Sequence, residues 1–209
     1  MRSWMMRAAL VPFLAAAGCL SPRGDASPVH TYQFSLDDRA GEVRPPDVNG
    51  PVLLVGQPQS HPGFDTPRMV YLKRPYELEF YSVNQWADAP ARLLAPVLVQ
   101  SLSQSGAWRA VVLLPSSVRG DYRLDSSGFA VQQEFLQQPS RVRITLRGQL
   151  VDLKESRVVS TRLFEAEEPA PSEDAYGGVL AANAAMARML SQVAAWGQAC
   201  VRHQPECIR

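Results

Sequence analysis

Arg141-Val-Arg-Ile-Thr-Leu-Arg-Gly-Gln-Leu-Val-Asp-Leu153 alternates charged or polar residues with apolar ones almost without a break. A period of two sends successive side chains to opposite faces of a strand, so the stretch predicts a half-buried β-strand. Its wet face carries Arg141, Arg143, Thr145, Arg147 and Gln149, and solvated charge is the simplest use of that face. Downstream, Lys154 to Ser156 turns the chain into a further strand from Arg157 to Glu165, and Glu167 to Pro171 reads as a breaker. Upstream, Tyr122 to Leu136 reads as a strand with an irregular spot at Asp125-Ser-Ser-Gly128. Consecutive strands joined by short turns predict an antiparallel meander.

Such a sheet needs cover on its dry face, and two segments can supply it. Asp88 as N-cap and Pro90 in the first turn open a helix with Leu93, Leu94, Val97, Leu98 and Leu102 at helical spacing, ended by Gly106. Burying those five side chains is worth about 7–15 kcal/mol before chain entropy is charged, so the stripe must face a sheet. A long amphipathic helix is predicted from about Glu173 to Cys200. Its wide, alanine-rich apolar face holds Tyr176, Val179, Leu180, Asn183, Met186, Ala187, Leu190, Val193, Ala194 and Trp196. Thr31 to Leu36, Pro51 to Gly56 and Trp108 to Leu114 read as strands, the second buried on both faces. Met69 to Lys73 and Glu77 to Val83 read as a hairpin. Asp37 to Gly50 is a polar linker, and Gln57 to Pro67, rich in Pro and Gly, is a loop.

The first 19 residues carry a targeting signal. Arg2 and Arg7 precede an apolar stretch too short to span a bilayer, and Ala17-Gly18 sits directly before Cys19. A small-small-Cys ending lets a lipoprotein peptidase cut before Cys19 once its thiol carries a diacylglycerol, after which the new amine takes a further chain such as palmitate. Residues 1–18 thus read as a lipoprotein signal peptide, Cys19 as the lipid attachment point, 19–28 as a tether and 29–209 as one domain. An ordinary secretory signal is the alternative, since Ala16 stands where lipoproteins most often carry Leu. Two or three acyl chains on one cysteine make release very slow. Leu20 in place of an aspartate favours the outer membrane over inner-membrane retention.

Composition excludes several function classes. Residues 1–18 hold two arginines and no acid, so their removal takes the formal charge from +1 to −1. Neither value suits nucleic acid or a polybasic membrane surface. Cys200 and Cys207, in a chain exported to an oxidising compartment, read as a disulfide stapling the C-terminal end. The competing metal reading, with His203 between them, lacks a fourth ligand. No nucleophile elbow, zinc-protease motif, Walker loop or dinucleotide fingerprint is present. His30, His61 and His203 sit apart from any nucleophile, and Asp37-Asp38 and Glu167-Glu168 read as solvated acids. Neither catalysis, nor a cofactor, nor a metal is expected.

The chain from Met69 onward resembles the ABC-type transport auxiliary lipoprotein family, the PqiC-like proteins that accompany lipid transport systems built on mammalian-cell-entry (MCE) domains. The residues carrying the likeness are Met69-Val-Tyr-Leu, Glu79-Phe-Tyr81, Asn84-Gln-Trp86-Ala-Asp-Ala-Pro90-Ala-Arg-Leu93-Leu94, Leu98, Leu102, Ser105-Gly106 and Trp108. Tyr122-Arg-Leu124, Phe135, Leu146, Leu150-Val-Asp152, Arg162, Phe164 and the alanine-rich helix to Trp196 continue it. The cysteine loop and the Pro-rich linker depart from the family's pattern. The resemblance implies an α/β (α+β) domain: a mixed, mostly antiparallel sheet with two helices packed on one face, similar to the TolB N-terminal domain. It also implies a non-enzymatic outer-membrane subunit facing the periplasm, whose partner is an MCE-domain protein or other ABC transporter component, with self-association to match multimeric tubes. Tyr81, Trp86 and Arg92, about the strand-to-helix junction, are the docking candidates; the other reading of Trp86 is a cap on the core where helix meets sheet. A periplasmic lipid carrier, or a structural lipoprotein contacting peptidoglycan or an assembly machine, are the alternatives.

Overall fold

A computed structural model describes residues 27–36 and 44–207; the whole expected signal peptide, the tether from Cys19 to residue 26 and residues 37–43 of the expected linker lie outside them. The described elements are β1 (His30–Tyr32), β2 (Val52–Val55), β3 (Arg68–Leu72), β4 (Glu79–Trp86), α1 (Pro90–Gln104), β5 (Ala110–Leu113), β6 (Tyr122–Glu134), β7 (Arg141–Asp152), β8 (Arg157–Pro169) and α2 (Ala175–Val201). The meander is present as the alternation predicts. β6 pairs antiparallel with β7 from Tyr122 opposite Asp152 to Glu134 opposite Arg141, and β7 pairs antiparallel with β8 over its whole length. The irregular spot is a register shift between Ser127 and Ala130 with Gly128 at φ +64°, a left-handed conformation that glycine adopts at least cost. β8 runs beyond the expected end at Glu165 and into the expected breaker, ending at Pro169. Cross-strand ion pairing of Arg141 with Glu167 at 2.7 Å holds its last residues, and the proline falls at the strand's end, where the ladder loses least.

The other flank of β6 is shared. β2 runs parallel to its first residues, Leu53 opposite Tyr122, and β3 parallel to its last, Val70 opposite Gln132. Between them Gly56, Gln59 and His61 donate to the carbonyls of Leu124, Ser126 and Phe129. The expected loop from Gln57 therefore begins as a broken strand and leaves the sheet only at Pro62. β5 adds parallel to β2, β4 antiparallel to β3 as the predicted hairpin, and β1 parallel to β4 at the edge. The first strand is shorter than expected. After Tyr32 the chain turns to α2, where Ser35 N–H donates to Asn183 Oδ1 at 2.8 Å.

Both helices lie on the same side of the sheet. Leu94, Val97, Leu98 and Leu102 of α1 are buried against it, while Leu93 is half-buried. Asp88 is not the N-cap: Ala89 holds that place without a side-chain cap, because Pro90 fills the first helical position and has no N–H to satisfy. α2 is capped by Asp174, which accepts from Gly177 N–H at 2.7 Å. Its buried face differs from the sequence expectation, since Tyr176 and Leu180 point to solvent while Met189 and several alanines turn inward. Gly178 explains the rotation. A Cβ there would lie 2.2 Å from Gln133 Oε1, so the glycine side of the first turn sits tight on β6 and the residues opposite it face out. From the sheet, Val142, Ile144, Leu146, Leu150 and Phe164 of β7 and β8 join Leu53, Val55, Leu124 and Val131 in this core. A second, small cluster of Phe64, Val70, Leu72 and Ala130, with Phe80 against it, occupies the opposite face.

Candidate docking surface

The three docking candidates flank the passage from β4 into α1, and the structure separates them. Trp86 is 2% exposed, its ring 4.7 Å from that of Phe34, and its backbone N–H donates to Pro67 at 2.7 Å. It caps the core where helix meets sheet and offers no ring to a partner. Strict alternation along β4 would leave Trp86 on the side of Phe80, in the small cluster. An irregularity in the β3–β4 register sends it to the main core instead. Tyr81 is half-buried. Its hydroxyl donates to Gln133 Oε1 at 3.0 Å, and Gln133 Nε2 donates in turn to Ser140 Oγ. Burial first, then the nearby Tyr71, pushes the Tyr81 hydroxyl pKa well up, so it stays a neutral donor. Arg92 alone of the three is exposed. Its Nε meets both Asp88 oxygens at 2.9 Å, and these bonds hold the Asp88 carboxyl below the usual carboxylate range.

The wet face of β7 is also not the basic strip that its sequence displays. β8 answers it with acids: Arg141 pairs with Glu167, and Arg143 with Glu165 and Glu167. Arg147 is left exposed, with no ion pair among the described residues.

What the sequence missed is an apolar patch on α2. Tyr176 and Leu180, one turn apart, are 56% and 45% exposed, and the Tyr32 ring of β1 lies 6.2 Å from that of Tyr176. The patch thus adjoins β1, the first of the described strands. Its signal was present as Gly177-Gly178, which marks the contacting side of the helix. Among the described residues no group of three or more His, Cys, Asp or Glu is placed to hold a metal, and no helix is long and apolar enough to cross a membrane. Cys200 and Cys207 stand with their sulfurs 2.13 Å apart, and the Cys207 carbonyl accepts from Ser160 Oγ at 2.7 Å and Trp196 Nε1 at 3.2 Å, closing the end of α2 onto β8.

These features define an α/β domain with apolar surface on α2 beside β1. The pattern of ABC-type transport auxiliary lipoprotein components matches residues 32–194, and the chain belongs to this family. It is similar in fold to protein XCC0632 from Xanthomonas campestris, with 22% identity over 84% of this chain and 95% of that one and a TM-score of 0.68. It also resembles the hypothetical protein CT253 from Chlamydia trachomatis, at 8% identity over 74% of this chain and 99% of that one, with a TM-score of 0.51. No curated protein matches the chain.

Proposed function

We propose that the protein is a non-enzymatic lipoprotein subunit, anchored through Cys19 in the outer membrane and facing the periplasm, that docks an ABC-type transport assembly through its MCE-domain protein. The family match over residues 32–194 carries this reading. A docking subunit needs surface and an anchor in place of a reactive site. Tyr176 and Leu180 supply apolar surface of the kind that interface cores use, and Arg92 supplies a charged rim. In the periplasm Cys200 and Cys207 form a disulfide that holds the C-terminal turn. Self-association would let one subunit match a multimeric partner. A lipid carrier is less well supported, since the apolar pocket lined by Met69, Trp86, Val131 and Val142 holds only about 10 Å³, roughly the space of one water.

The test is affinity purification of the full-length chain from membranes of a Gram-negative host, with intact-mass analysis of the same sample. The expected result is an acylated Cys19 and co-recovery of an MCE-domain protein. An acylated protein that brings down peptidoglycan-associated proteins and no transporter component overturns the docking role. An unmodified thiol overturns the anchor.

A further inference from the structure

A polar cavity of about 380 Å³ opens beside the end of α2, lined among others by Arg109, Asp121, Tyr122, Asp152, Lys154 and Val201. Sites for small molecules run from about 300 to 1,000 Å³. Four charged side chains line this one, and they do not pair off evenly. Asp121 Oδ1 takes one N–H of the Lys154 ammonium at 2.9 Å, leaving that ammonium two further donors, and the second Asp121 oxygen accepts from Val52 N–H at 2.8 Å. That backbone bond first, then Lys154, holds the Asp121 carboxyl below its ordinary range.

Asp152 and Arg109 remain. Asp152 is 9% exposed; its Oδ1 accepts from the N–H groups of Lys154 and Glu155 at 2.9 and 3.0 Å, and among the described residues no cation lies within ion-pair distance of it. Arg109 is exposed; its backbone N–H donates to Pro51 at 3.0 Å, while its guanidinium makes neither hydrogen bond nor ion pair and acts on Asp121 only through space. The Tyr122 hydroxyl is likewise without a hydrogen-bond partner. Burial first, then the Asp152 charge, raises its pKa, which keeps it protonated and able to donate. Lys154 and Arg157 feel the Asp152 charge from a distance, but neither makes an ion pair with it, and a largely buried carboxylate without a direct cation partner is costly. One molecule carrying both charges would satisfy Asp152 and Arg109 together.

We propose that this cavity binds a small zwitterion, its phosphate on Arg109 with the spare N–H groups of Lys154 and its primary ammonium on Asp152. This is the chemistry of phosphoethanolamine, whether on a lipid head group or free. A guanidinium matches phosphate oxygens two at a time, and the α2 C-terminus that brings Val201 to the cavity wall adds partial negative charge suited to an ammonium. The inference stands on the cavity and is independent of the transporter reading.

The test is calorimetric titration of the full-length lipoprotein, in a phosphate-free detergent, with glycerophosphoethanolamine. Saturable binding is expected, weakened about tenfold or more by Arg109→Gln and by Asp152→Asn, the loss of one charged hydrogen bond each. Asn keeps an acceptor oxygen for the two turn N–H groups, and Arg109 is at the surface, so both variants retain the fold. Glycerol 3-phosphate and ethanolamine, each carrying charge of one sign only, should bind weaker than the whole ligand. A parallel titration with micellar lysophosphatidylethanolamine separates the sources: binding there identifies a lipid head group, and binding of the glycerol compound alone a free metabolite. Equal affinity for glycerol 3-phosphate or for alanine, no effect of Arg109→Gln, or no saturation at about 10 mM overturns the proposal.

Discussion

Trp86 and Tyr176 occupy comparable places, one four residues ahead of α1 and the other in the first turn of α2, yet the first is 2% exposed and the second 56%. Both are large aromatics whose sequence neighbourhoods suggest the opposite assignments. What decides is the backbone around them. A slipped register in β4 turns Trp86 inward onto Phe34, and the close approach at Gly178 turns Tyr176 outward. Aromatic size gives the amount of surface to be placed; one irregular residue elsewhere gives the side on which it is placed.

The sharpest way to break this comparison is Trp86→Ala. Removing a buried indole typically costs about 3–5 kcal/mol, a large part of the 5–15 kcal/mol that stabilises most domains. Thermal melting followed by circular dichroism should show a drop of many degrees, with loss of the folded protein at 37 °C. A variant that melts like the parent while losing its partner would return Trp86 to the docking surface. Cys200→Ser comes next. A short closed loop contributes about 2–3 kcal/mol in the chain-entropy account, and the same loss should follow from adding a reductant to the parent protein. Equal melting in both states would mean that the bonds from Ser160 and Trp196 to the Cys207 carbonyl hold the turn unaided.

The β6–β7–β8 half was legible because its pairing is local. Alternation sets which side chains face in, short turns set the partners, and the Gly128 bulge announces itself as Ser-Ser-Gly. The other half was less so. β2 and β3 share one flank of β6 through parallel pairings that cross more than 60 residues of sequence, and no local period encodes which strand sits beside which. Hydrogen bonds from the Pro-rich stretch, at Gln59 and His61, have no pattern in the residues that make them. The docking candidates show a related limit: Tyr81, Trp86 and Arg92 differ in exposure, and residue type does not report the register slip that buries Trp86. The polar cavity was invisible in sequence because Arg109, Asp121 and Asp152 come from the ends of different strands. The meander's outer face shows the same limit, since its basic strip is neutralised by glutamates of β8 that only the register of Arg143 with Glu167 brings opposite.

Gly178→Ala tests the cause assigned to the rotation of α2. The added methyl would sit 2.2 Å from Gln133 Oε1, so either the helix lifts or Gln133 gives up its bonds to Tyr81 and Ser140. Overpacking of this kind costs about 1–3 kcal/mol. The matching change at Gly128 finds open space within 4 Å and meets only the positive φ, for a loss nearer 1 kcal/mol. Denaturant melts of the two variants should therefore rank Gly178→Ala as the more damaging, and the reverse order would mean that helix rotation is set elsewhere.

The smallest effect on stability should come from Tyr176→Ser combined with Leu180→Ser, and it sharpens the comparison most. Both side chains are about half exposed, and surface substitutions away from special features stay within about 0.5 kcal/mol. The melting temperature should hardly move. If this patch is the docking surface, the same double variant, still acylated, should lose most of the MCE-domain protein proposed as its partner in a membrane pull-down, since truncation of central apolar anchors costs an interface about 2 kcal/mol or more. The separation of the two readouts is the argument: Trp86→Ala removes the partner by removing the fold, whereas the α2 variant removes the partner and leaves the fold. Undiminished recovery with the double variant would clear α2 of this role and direct attention to Arg92 and to Arg147, the exposed cation of β7 that β8 leaves unanswered.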